Sequence, residues 1–230
     1  VEKPMLDWSS IDTVLLDMDG TLLDLHFDNY FWLEHLPKRW SELSQISVEE
    51  AKVQLKAEYD VLQGKLEWYC LDYWAKRLQL PITELKREVM DKIAMRADVP
   101  AFLTALKQSG RRIVLVTNAH PDSLSLKIER TELASYLTEL ISTHEFGVTK
   151  ESQQLWHALQ QRLGFDAKRT LFVDDSLPIL HAAEQFGIAH LLAIANPDSQ
   201  QPVKQIEQFP AITDYSVLLA DISKPREQVQ

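Results

Sequence analysis

Five short runs of β-branched and leucine-rich residues stand out along the chain: TVLLD at 13–17, RRIVLVT at 111–117, YLTELIST at 136–143, TLFVD at 170–174 and AHLLAIA at 189–195. Their apolar character is continuous rather than alternating, the pattern of strands buried on both faces of a sheet. Amphipathic helical patterns of ten to fifteen residues lie between most of them: PAFLTALKQSG, PDSLSLKIERTEL, KESQQLWHALQQRLG and LPILHAAEQFG. Strand and helix in alternation predict an α/β fold, a doubly wound parallel sheet with helices on both sides. One interval breaks the rhythm. Residues 25–98 contain only helical patterns, with Ser47 and Glu50 placed as a capping box and Pro81 as a first-turn proline. The expected organisation is therefore a core from residues 1–24 and 99–230, with an all-helical block of residues 25–98 inserted after the first strand.

That insertion point matters because of what precedes it. The first strand ends in DMDGT, with Asp17 and Asp19 two residues apart and Gly20 following. Alternate strand residues share a face, so the two carboxylates are expected in one small volume, where each raises the pKa of the other unless a cation or a shared proton intervenes. The second strand ends in VTNAH (116–120), offering the Thr117 hydroxyl and the Asn118 backbone N–H to an anion at the next helix start. Lys150 stands at the opening of a helical pattern, an end the helix dipole makes unfavourable for a cation unless something anionic is near. LFVDDS (171–176) again closes a strand in acids, Asp174 and Asp175. All four elements fall at the carboxyl ends of predicted strands or the helix starts beyond them, where open α/β sheets bind ligands. Carboxylate oxygens select a hard ion, and Mg²⁺ is the expected one.

The order and spacing of these four elements resemble the haloacid dehalogenase superfamily of phosphotransferases. DMDGT resembles its first motif, VTN its second, Lys150 its third and VDDS its fourth, and the helical insertion resembles a C1-type cap. The resemblance implies that Asp17 attacks phosphorus to form an aspartyl-phosphate, and that Asp19 protonates the leaving oxygen and later deprotonates water. It also implies Mg²⁺ held by the Asp17 carboxylate, the Asp19 carbonyl and Asp175, with Asp174 acting through water or from the outer shell. Thr117 and the Asn118 amide then hold phosphate oxygens, and Lys150 bridges nucleophile and phosphate. Many relatives carry proline before the third-motif lysine, whereas Thr149 stands here. Segments outside the motifs, among them DNYFW, WYCLDYW, TNAHP and STHEFG, resemble the bacterial GMP/IMP 5′-nucleotidase branch, which implies a purine nucleoside monophosphate as substrate.

Composition narrows the partners. The net charge of −10 and pI near 5.2 oppose binding to a nucleic-acid polymer. Cys70 is the only cysteine, no apolar run has transmembrane length, and the opening VEKPMLDWSS lacks a signal-peptide core, so a cytoplasmic protein acting on a small phosphate monoester is expected. Ten of the twenty aromatic residues fall in 25–98, where they either stack a base or fill the core of a small helical unit. The spacing of Leu71, Trp74 and Leu78 reads as core, while Tyr69 and Tyr73, four apart on a neighbouring face, are expected to line the cleft. His120 and His144 read as loop histidines. A dehalogenase does not use an acid/base aspartate at the position of Asp19. A phosphomutase or sugar phosphatase shares the motifs, and a silent phosphate-binding module would be free to lose Asp17 or Lys150.

Overall fold

The computed structural model describes residues 5–226. Its centre is a six-stranded, wholly parallel sheet: β1 Thr13–Leu16, β2 Arg112–Thr117, β3 Glu139–Ser142, β4 Thr170–Asp174, β5 His190–Ile194 and β6 Ala211–Ile212. The spatial order is β3-β2-β1-β4-β5-β6. Chain order thus runs outward from β1 on one side and resumes beside it on the other, leaving β1 between β2 and β4 and a crevice at their carboxyl ends. All four residues of β1 are buried. Val14 and Leu16 face one layer with Phe102 and Leu106, while Leu15 faces the other with Trp156 and Phe172. Burial on both faces is why the run shows no polar alternation.

The helices follow the sequence pattern closely. Those flanking the sheet are α7 Val99–Gln108, α8 Pro121–Arg130, α9 Gln153–Leu163 and α10 Leu177–Phe186, with α11 Leu219–Ile222 near the end. Between β1 and α7 run α1 His26–Tyr30, a π-helical segment Phe31–His35, α2 Leu36–Ser44, α3 Val48–Leu62, α4 Leu66–Tyr69, α5 Leu71–Leu78 and α6 Ile82–Arg87. They gather around a cluster of their own that includes Phe27, Phe31, Tyr59 and Trp74, to which the core contributes Leu126 of α8. The chain enters and leaves this block side by side: Asp24 N–H donates to the Ala94 carbonyl (2.9 Å) and Arg96 N–H to the Leu22 carbonyl (3.0 Å).

Three local expectations change. α9 starts at Gln153, capped by the Ser152 hydroxyl, so Lys150 lies in the turn before the helix rather than in its first turn. Pro81 occupies the N-cap position of α6 rather than its first turn. β6, two residues long, is too short for hydrophobic patterning to reveal. Ser47 does cap α3, its hydroxyl accepting from Glu50 N–H at 3.1 Å. Among the described residues no helix is long and apolar enough to cross a membrane.

Candidate active site

β1 delivers Asp17 to the rim of the sheet. Its N–H donates to the Val173 carbonyl (3.0 Å), prolonging the ladder with β4, and its side chain is almost wholly buried. The chain then turns sharply. Gly20 has φ +83°, and a Cβ there would lie 2.7 Å from Asp175 Oδ2, so both the backbone conformation and the closeness of the Asp175 carboxylate favour glycine. Thr21 returns its hydroxyl to Asp17 Oδ2 at 2.9 Å.

Lys150 organises the acids. Its ammonium, 1% exposed, donates to Asp17 Oδ1 (2.8 Å), Asp174 Oδ2 (2.9 Å) and the Val116 carbonyl (3.0 Å), which satisfies all three protons. The loop carrying it is fixed from β2: the Asn118 side-chain oxygen accepts from Lys150 N–H (2.9 Å) and the Thr143 hydroxyl (3.0 Å), while its amide donates to Glu151 (2.9 Å). Thr149 donates its hydroxyl to the Gly64 carbonyl (3.0 Å), a tie to the turn before α4.

The carboxylates of Asp17, Asp174 and Asp175 converge, with ligand atoms within 4.8 Å of one another. Three ionised acids against one ammonium leave two negative charges in excess. Burial, followed by the Asp17 charge, pushes Asp174 up to about 7. Burial and the charges of Asp17 and Asp174 push Asp175 well above the carboxylate range. For Lys150, burial acts downward and the two aspartates overcome it, so its pKa rises. An oxygen-only donor set, an excess of two negative charges and a side chain-free wall at Gly20 fit a hard divalent cation. The charge balance then closes.

A cleft of about 340 Å³ opens above this cluster. Thr117 and Asn118 line it beside the acids. The Thr117 hydroxyl accepts from Ala119 N–H at 3.0 Å, which leaves its own proton to donate to an anion. His120 caps α8, its Nδ1 accepting from Asp122 N–H (3.1 Å) and its Nε2–H donating to Asp72 (3.0 Å). His144 Nε2–H donates to the Asn118 carbonyl (3.1 Å). His120 lines the cleft, and its bond to Asp72 ties α8 to α5, whereas His144 sits in the single turn Thr143–Glu145 that follows β3.

Asp19 also lines the cleft, but its carboxylate is held by a group that sequence reasoning missed. Lys127 of α8, 1% exposed, donates to Asp19 Oδ1 (2.6 Å) and to Asp28 Oδ1 of α1 (2.7 Å). Lys86 of α6 lies 4.0 Å from the same Asp28 oxygen. Burial and the Asp28 charge raise Asp19 to about 6, against the downward pull of Lys127. Burial lowers Lys86 to about 8. The signal was present: Lys86 follows the Ile82 and Leu85 stripe of α6, and Lys127 follows Ser123 by one helical turn on the buried face of α8.

The two tyrosines separate. Tyr69 lines the cleft, and its hydroxyl donates to Glu151 at 3.3 Å. Tyr73 packs edge-on against Trp74, ring centroids 5.2 Å apart, and does not line the cleft. The expected i, i+4 relation fails because Cys70 is extended (φ −84°, ψ 110°) and interrupts the helix between α4 and α5. Most of the aromatic residues of this block form its interior: Tyr59 meets Trp68 at 5.0 Å and Trp74 at 5.3 Å, both edge-on.

This fold and this convergence of acids on a buried lysine match a known family. Residues 11–187 fit the haloacid dehalogenase-like hydrolase family model, and the chain belongs to that family. It is 47% identical over 215 residues to the GMP/IMP nucleotidase YrfG of Escherichia coli (strain K12), an alignment spanning 94% of this chain and 97% of the relative. It is 24% identical over 190 residues to an (S)-2-haloacid dehalogenase of Pseudomonas sp. (strain YL), spanning 77% of this chain and 80% of that one. Among solved structures, a HAD phosphatase from Thermococcus onnurineus superposes with a TM-score of 0.76 at 22% identity, covering 94% of this chain and all of the other.

Proposed function

We propose that the protein is a Mg²⁺-dependent phosphomonoesterase of purine nucleoside 5′-monophosphates, with GMP and IMP as preferred substrates. The observation that carries this reading is the Lys150 ammonium bridging Asp17 and Asp174 beside Asp175, at the floor of a cleft that a helical block covers. The base preference follows the likeness to the YrfG nucleotidase. Residues 1–24 and 99–230 form the catalytic core in this reading, and residues 25–98 a C1-type cap.

Asp17 is the nucleophile. Lys150 and Thr21 fix one oxygen each of its carboxylate, orienting it for in-line attack. The Asp17 O–P bond forms as the bond to the sugar oxygen breaks, and Asp19, held by Lys127, transfers its proton to that oxygen. Water then attacks the aspartyl-phosphate, Asp19 takes the proton, and phosphate leaves with Asp17 restored. Thr117 and the Asn118 amide hold phosphate oxygens, and Tyr69 borders the leaving group. Asp17, Asp175, Asp174 and the Asp19 carbonyl would hold Mg²⁺, which supplies charge neutralisation of the phosphoryl oxygens.

A substrate panel with purified protein and Mg²⁺ tests the reading. Phosphate release from GMP and IMP is expected ahead of pyrimidine nucleotides and sugar phosphates. Sugar-phosphate isomerisation without release would instead mark a mutase, and absence of turnover of every monoester would leave a binding module.

A further inference from the structure

Lys86 and Asp28 form a donor and acceptor pair whose bonding capacity is unfilled. The Lys86 ammonium is 2% exposed, yet its hydrogen bonding amounts to one long contact to the Ser123 hydroxyl at 3.4 Å, and Asp28 stands 4.0 Å away. The rings of Phe27, Phe31 and Trp32 surround it at 5.0 to 5.5 Å, and the charges of Asp28 and Asp19 work against the loss of its proton on burial. Asp28 gives Oδ1 to Lys127, while its Oδ2 is buried with no partner at all. Native proteins rarely leave a buried cation and a buried carboxylate oxygen this poorly matched, and such gaps call for a ligand.

Both side chains line the cleft, and Lys127 bridges Asp28 to Asp19. They therefore stand near the carboxyl that serves the leaving oxygen in the function proposed above, the side on which the nucleoside projects. Trp32, whose ring faces Lys86, and Trp68 also line the cleft and are only partly buried, giving it aromatic surface for a base. Resting on the substrate class proposed above, we propose that Lys86 and Asp28 read the 6-oxo edge of the purine, Lys86 donating to O6 and Asp28 Oδ2 accepting from N1–H. Adenine presents the reversed pattern, an acceptor at N1 and a donor at C6. Its amino group would meet the ammonium and its N1 the carboxylate, so AMP is rejected by unpaired and like-signed groups rather than by size.

Lys86→Met preserves the volume among the three rings, and Lys86→Gln keeps a donor. With kcat/KM measured for GMP, IMP, AMP, 2′-deoxy-GMP and 4-nitrophenyl phosphate, Lys86→Met is expected to lower GMP and IMP about 10- to 100-fold relative to AMP and the nitrophenyl ester. The loss should fall mainly in KM, and Lys86→Gln should recover part of it. A uniform fall across all substrates, or an unchanged GMP to AMP ratio, overturns the assignment while leaving the nucleotidase reading intact. So does a Lys86→Met variant that has lost the wild type's discrimination between GMP and 2′-deoxy-GMP, which would place the pair on the ribose. Wild-type protein without purine nucleotide turnover overturns the substrate reading and this inference together.

Discussion

Lys150 shows how one side chain sets the properties of several. Its ammonium neutralises Asp17 and Asp174 in a water-poor pocket, and removing one member of such a buried group strands the rest. Lys150→Met is therefore expected to cost about 3 to 5 kcal/mol of folding stability, measured by urea denaturation without added metal. Asp17→Asn, by contrast, removes one of three crowded acids, leaves Lys150 paired with Asp174 and takes away the proposed nucleophile; turnover should vanish while the urea midpoint stays near that of the wild type. The raised pKa values of Asp174, about 7, and Asp175 give a third expectation. In the unfolded chain these carboxyls titrate near ~4, so between pH ~4 and ~7 the folded protein holds protons that the unfolded chain has released, and these two groups favour the fold more as pH falls. Mg²⁺ bound as proposed above would compete for the same oxygens. The rise in melting temperature on adding Mg²⁺ should be larger at pH 7.5 than at pH 5.5, and a pH-independent shift would count against the three-aspartate site.

At the scale of elements, the sequence announced most of what the chain builds and hid what depends on exceptions. Strands β1, β2 and β4 were legible because burial on both faces leaves unbroken apolar runs, and the acids that end them were legible because nothing structural asks for carboxylates there. The break at Cys70 was not, since neither proline nor glycine marks it; across it the buried Trp74 donates its indole N–H to the Trp68 carbonyl (3.0 Å). Lys86 and Lys127 were missed because a lysine beside an apolar stripe ordinarily extends to solvent, whereas here both heads are buried against Asp28. Asn118 and Thr149 were read, one for its backbone amide and the other as a departure from proline. Their side chains turn out to hold the Lys150 loop and tie it to Gly64. The Ser47 cap of α3 offers a simple check on local energetics: Ser47→Ala should cost about 1 kcal/mol in urea and leave KM for nucleotides unchanged.

For the whole molecule, what matters most is where the chain crosses between sheet and helical block. The outgoing and returning segments touch through the Asp24–Ala94 and Arg96–Leu22 hydrogen bonds, so residues 25–93 between them begin and end at one spot. The block is in effect a cassette clipped to a socket. Joining Asp24 to Ala94 through a short Gly-Ser link should yield a cooperatively unfolding remnant that keeps its Mg²⁺-dependent rise in melting temperature and loses turnover of GMP; a remnant that fails to fold would show the two parts to be interdependent. The socket is not indifferent to its insert: Asp28 of the block shares Lys127 with Asp19 and helps to raise its pKa, so exchanging the block would also retune that carboxyl.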